Sequence, residues 1–149
     1  MLPVDLDTVR VFLHVLAAAI WVGGQIALAS VVPIVRGGGP ELVRSVARRF
    51  QVVAWSAFGV LGATGVWNLF AVDVADQDGD YLGTLAAKLA FVALSGICAA
   101  AHALLSGPSV AAARDEREAR RRRARSGMLA GGGLLFALLA MFYGVVLSP

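Results

Sequence analysis

The chain has 149 residues; 58% are hydrophobic, 15% are charged, and the net charge is +3. A soluble domain carries about a quarter charged residues, so this composition, with a mean hydropathy of +0.76, excludes an ordinary soluble domain and describes an integral membrane protein. The basic excess is not a nucleic-acid signal, because the arginines cluster in short segments between apolar runs and no aromatic residues interleave the longer cluster.

The first apolar run, Val11–Val35, passes 25 residues without a formal charge between Arg10 and Arg36. As a helix it would measure roughly 37 Å, more than the ~30 Å hydrocarbon core of a bilayer. Its length and the acidic start MLPVDLD predict a retained membrane helix rather than a signal peptide. Three further apolar runs follow, and spanning helices are expected at about 8–35, 50–72, 81–105 and 126–147. Backbone in lipid must bond to itself. The expected fold class is therefore an all-α integral membrane protein, an antiparallel four-transmembrane-helix bundle forming one membrane domain.

The connections fix an expected orientation. Segment 36–49 carries Arg36, Arg44, Arg48 and Arg49 against Glu41, and segment 106–125 carries seven arginines. Segment 73–80 carries four aspartates and no Lys or Arg. The positive-inside rule puts both basic loops in the cytoplasm and both termini outside. Pro40-Glu41 predicts that helix 2 starts before the membrane. Gly107-Pro108 predicts a break after helix 3, and the arginine-rich stretch beyond it suits either a charged helix or a solvated hairpin that attracts anionic lipid. Gly59, Gly62 and Gly65 on helix 2, and Gly131-Gly132-Gly133 on helix 4, offer surfaces for close helix approach.

Polar residues inside the spans are costly and mark candidate sites. Order and topology place His14, Asn68, Lys88, Met141 and Tyr143 in one outer layer. His102 lies fourteen residues after Lys88, about 21 Å further in, too far to share a metal atom with His14 in a simple bundle. Lys88 either snorkels toward Asp78 and Asp80 or faces the bundle beside His14. Cys98 shares a helix face with His102 and reads as a small packing residue; a single cysteine excludes an intrachain disulfide. Met128 and Met141 are too far apart for a methionine copper motif. Trp21 is too deep for an interfacial belt, whereas Trp55 and Trp67 suit one. The acidic stretch VDVADQDGD lacks the terminal Glu of a calcium loop, and no soluble-enzyme constellation is present.

The stretch HVLAAAIWVGG at His14–Gly24 resembles the first helix of the copper resistance protein D (CopD) family of membrane domains, with a histidine, a tryptophan seven residues later and then Gly-Gly. RRFQVVAW at Arg48–Trp55, TGVWN at Thr64–Asn68 and KLAFVALSGICAAAH at Lys88–His102 continue the resemblance over nearly the whole chain. The outline is also similar to the HemJ family, heme-associated protoporphyrinogen oxidases, but Pro33 falls a turn too late for the Pro-Arg-Leu element of that family.

The copper resemblance implies a multi-pass protein of the cytoplasmic membrane that binds or transports copper near its outer face. Its metal ligands would be His14 and the soft sulfur of Met141, completed by a homo-oligomer or a periplasmic copper partner. The HemJ resemblance implies heme b instead, with His14 or His102 as axial ligand, Lys88 on a propionate, and Trp21 and Gly24 beside the ring. The third expectation is a non-catalytic helical accessory subunit. The lipid bilayer is a partner in every reading, and nucleic acid in none.

Overall fold

The computed structural model describes residues 4–72, 74–106 and 115–147. Among them are four long helices and no strand: α1 (Leu6–Arg36), α2 (Pro40–Ala71), α3 (Gly79–Ser106) and α4 (Glu116–Val146). A short 3-10 turn, Val74–Asp76, follows α2. All four helices contain segments long and apolar enough to cross a membrane. The protein is an all-α multi-pass membrane protein, as its composition required. The expected break at Gly107-Pro108, and the residues Asp73 and Arg114, lie outside the described residues.

The chain divides into two compact units, Met1–Asp78 and Gly79–Pro149. The first holds an antiparallel hairpin of α1 and α2, the second one of α3 and α4.

Asp5 caps α1. Its carboxylate accepts from the Thr8 backbone N–H at 2.8 Å and from the Thr8 hydroxyl at 2.7 Å, which satisfies an amide that has no partner within the helix. Pro33 sits one turn before the end of α1, where it removes a single donor. The link to α2 is Gly37-Gly38-Gly39. Gly39 adopts φ +92° and ψ 167°, a region that only glycine enters without strain. Pro40 then opens α2 at its first position, where the missing N–H costs nothing.

Residues 40–49 and 116–125 of the basic segments are helical. At 1.5 Å per residue α2 and α4 each extend over about 45 Å or more, beyond the ~30 Å hydrocarbon core. Their first turns carry the arginines. Arg44 pairs with Glu41 at 2.6 Å, and Arg122 pairs with Glu118 one turn before it. Asp115 caps α4 through the Glu118 N–H at 2.7 Å. An acidic first turn, good helix formers and an i,i+4 ion pair explain why 116–125 continues the helix rather than forming a loop.

In the first hairpin, Trp21 is almost wholly buried, at 3% exposure. Its ring centroid lies 4.6 Å from Phe58 and 5.8 Å from Trp55. Trp55 thus takes part in the hairpin packing while staying 39% exposed. Phe50 fills the space beside Gly24, where a Cβ would lie 3.0 Å from Phe50 Cε2.

The helices of the second hairpin approach closely at Gly133. A Cβ there would lie 3.3 Å from Cys98 Cβ, and the Ser95 hydroxyl donates to the Gly133 carbonyl at 2.9 Å. Phe91 of α3 packs against Phe136 and Tyr143 of α4. The glycine runs are used selectively. Gly65 and Gly133 meet a neighbour, whereas a Cβ at Gly59, Gly62 or Gly131 would meet nothing within 4 Å.

Candidate functional site

The candidate residues fall into two groups by hairpin. His14, Trp21 and Gly24 belong to the first; Lys88, His102 and Met141 belong to the second.

His14 is half-buried on α1 and faces α2. Its Nδ1 lies 2.9 Å from the hydroxyl oxygen of Thr64, and Gly65 leaves room for the ring, since a Cβ there would sit 3.6 Å from His14 Cε1. The Thr64 hydroxyl has one proton, and it donates back along α2 to the Val60 carbonyl at 2.7 Å, with Leu61 O at 3.2 Å. Its oxygen must then accept from His14. The ring therefore carries a proton on Nδ1 in this bond. Thr64 is 5% exposed, so bulk water does not compete strongly for this bond.

His102 makes a similar bond to a different acceptor. Its Nδ1 donates to the Ser126 carbonyl of α4 at 2.9 Å, and Ser126 Oγ lies 3.2 Å from the same nitrogen. The contact ties the C-terminal part of α3 to the start of the apolar part of α4. Cys98, one turn earlier, packs against Gly132 and Gly133.

Lys88 runs along the last turns of α4. Its Nζ would lie 3.4 Å from a Cβ at Gly144, so the bare backbone there gives the ammonium its path. A cation beside a helix C-terminus is favoured by the carbonyls that end the helix. Met141 is 42% exposed on α4. Trp21 packs against Phe58 and Trp55, and Gly24 lies beside Phe50.

Sequence reasoning passed over Thr64 as a site residue, although it opens the quoted TGVWN stretch. A threonine in a helix signals its own back-bond first, and only the tertiary contact reveals a second partner. Arg10 was also passed over, as the mere edge of the first apolar run.

Among the described residues, no three His, Cys, Asp or Glu side chains cluster closely enough to hold a metal ion.

The protein-family model described as copper resistance protein D matches residues 44–147. The chain belongs to the copper resistance protein D family. The matched stretch takes in Thr64, Lys88, His102 and Met141, and begins after α1 with its His14–Gly24 motif. The family found is the copper one of the two resemblances, and no finding supports heme. No curated protein and no solved structure matches the chain. This is a copper-resistance-related multi-pass membrane protein.

Proposed function

We propose that this protein handles copper as cargo in the cytoplasmic membrane, with Nε2 of His14 as its contact on the outer side. The observation that carries the reading is the chain from His14 Nδ1 through the Thr64 hydroxyl to the Val60 carbonyl. A ligating histidine ordinarily donates its other ring nitrogen to a protein acceptor, which fixes the tautomer and the ring direction. Here the acceptor is Thr64, and an imidazole nitrogen is of a type that suits copper.

The outer placement follows from charge. Arg44, Arg48 and Arg49 begin α2 and the arginines of 117–125 begin α4, whereas Asp76, Asp78 and Asp80 lie at the α2–α3 connection. The positive-inside rule then sets the Gly37–Gly39 turn in the cytoplasm and the start of α1 outside. Met141, near the outer end of α4, offers Cu(I) a soft thioether as a separate contact. A periplasmic copper partner or a second copy would supply and remove the ion.

The test is Cu(I) binding to purified protein in detergent, for wild type and His14→Ala, with helix content checked by circular dichroism. Wild type is expected to bind near stoichiometrically and His14→Ala to lose at least tenfold in affinity. Equal copper content in two equally folded proteins removes His14 as the contact.

A further inference from the structure

One cation in the first hairpin is buried without adequate compensation. The Arg10 side chain is 11% exposed, and its ion-pair contact is Asp7, with Nη1 at 3.3 Å from an oxygen whose side chain is 74% exposed. That contact is near enough for attraction but is not aligned as a hydrogen bond. The Nε and Nη1 atoms of Arg10 are both buried and make no hydrogen bond. Donors on a charged group, removed from water and unpaired, are among the costlier features a fold can carry. An exposed carboxylate on the same helix, three residues away, compensates little.

Position adds to the argument. Arg10 lies one turn before His14, and i,i+4 spacing puts the two on one face of α1. That face is the one that meets Thr64 and Gly65 of α2. Arg10 therefore stands at the end of the hairpin away from the Gly37–Gly39 turn, with Nε and Nη1 buried and without a hydrogen bond among the described residues.

We propose that Arg10 is an oxyanion-binding residue at this end of the first hairpin, taking a carboxylate or phosphate oxygen on its buried guanidinium donors. A planar guanidinium is the side chain best suited to such groups. The oxyanion comes either from a lipid headgroup at the membrane surface or from a soluble anion. The inference does not depend on the copper reading, and it is tested without copper.

The experiment uses the full chain in uncharged detergent, labelled so that the arginine Nε–Hε resonances and the thermal unfolding midpoint can both be followed. Three probes are titrated separately: inorganic phosphate, acetate and short-chain phosphatidylglycerol. At least one is expected to shift the Arg10 resonance saturably and raise the midpoint. A response to phosphatidylglycerol alone identifies the headgroup as the source, and a response to phosphate or acetate identifies a soluble anion. Arg10→Met is expected to fold at least as well in the absence of anion, because it removes an uncompensated buried charge, and to lose both responses. Arg10→Lys keeps the charge but lacks the Nε donor; it serves should the methionine variant fail to fold, and is expected to bind at least tenfold more weakly than wild type. Absence of saturation with all three probes overturns the proposal, as does a folded variant that responds as wild type does.

Discussion

His14 Nδ1 and Thr64 Oγ1 lie 2.9 Å apart across the first hairpin, fifty residues apart in the chain. Because the Thr64 proton is already committed to Val60, the Thr64 oxygen is the acceptor for His14 Nδ1 in this pair. Thr64→Val keeps the shape and removes the acceptor. Loss of such an outer-shell partner lowers metal affinity by about 10–100-fold, and that is the expected loss of Cu(I) affinity. Thr64→Ser should retain most of the binding. The stability cost of either change should be small, since interhelical hydrogen bonds in membranes average about 0.6 kcal/mol. Isothermal titration of the three proteins checks this, and undiminished affinity in Thr64→Val would show that the tautomer is set elsewhere.

Two glycines of one triplet should respond differently to the same change. At Gly133 a methyl group would press on Cys98 Cβ at 3.3 Å and approach the Ser95 carbonyl at 3.6 Å. Overpacking of this kind costs about 1–3 kcal/mol. A Cβ at Gly131 would meet nothing within 4 Å, and alanine is the better helix former. Gly133→Ala should thus loosen the α3–α4 hairpin, while Gly131→Ala leaves it unchanged or firmer. Reversible unfolding in mixed detergent reads the difference; equal midpoints for the two would contradict the packing described.

At Gly39 the turn between α1 and α2 depends on backbone conformation rather than contacts. Gly39 holds φ +92° with no neighbour near its missing Cβ, so alanine there is opposed by strain alone, at about 1–3 kcal/mol. Gly39→Ala should lower stability by that amount, and Gly37→Ala, at φ −64°, by clearly less. Thermal unfolding of both variants is the check.

The N-terminal cap of α1 should weaken in acid. The Thr8 hydroxyl, and after it the Thr8 backbone N–H, hold the Asp5 carboxyl below its ordinary value of 3.8. A depressed folded-state value means that the cap contributes fully above 3.8 and is lost as pH falls through the lowered value. Asp5 is fully exposed, so fraying should stay confined to the first turn. Amide exchange at Thr8, compared in wild type and Asp5→Ala after correction for intrinsic rates, should converge at low pH and diverge at neutral pH. Parallel profiles at all pH values would remove Asp5 as the cap.

The helices were legible in the sequence for a simple reason. Lipid offers the backbone no hydrogen bonds, so long uncharged runs have one local solution, and Val11–Val35 announces α1 by length alone. The start of α2 at Pro40 was equally local. The arginine segments were less legible, because charge density marks a solvated surface without saying whether it is coiled. Asp115 and the Glu118–Arg122 pair decide for helix, and they do so within a few residues.

The site was another matter. The sequence by itself determined that His14, Lys88 and His102 sit inside membrane spans, where polar groups require partners. Only the tertiary structure decided which partners. Thr64 meets His14, Ser126 meets His102, and Gly144 makes way for Lys88. It also decided that Phe50 lies beside Gly24 and that Trp55 packs against Trp21. The physical reason is that helical periodicity gives each residue a face but no register against the next helix. Register depends on the side-chain shapes that interlock, and in these hairpins it is set by close approach at Gly65 and Gly133 and by a few interhelical hydrogen bonds.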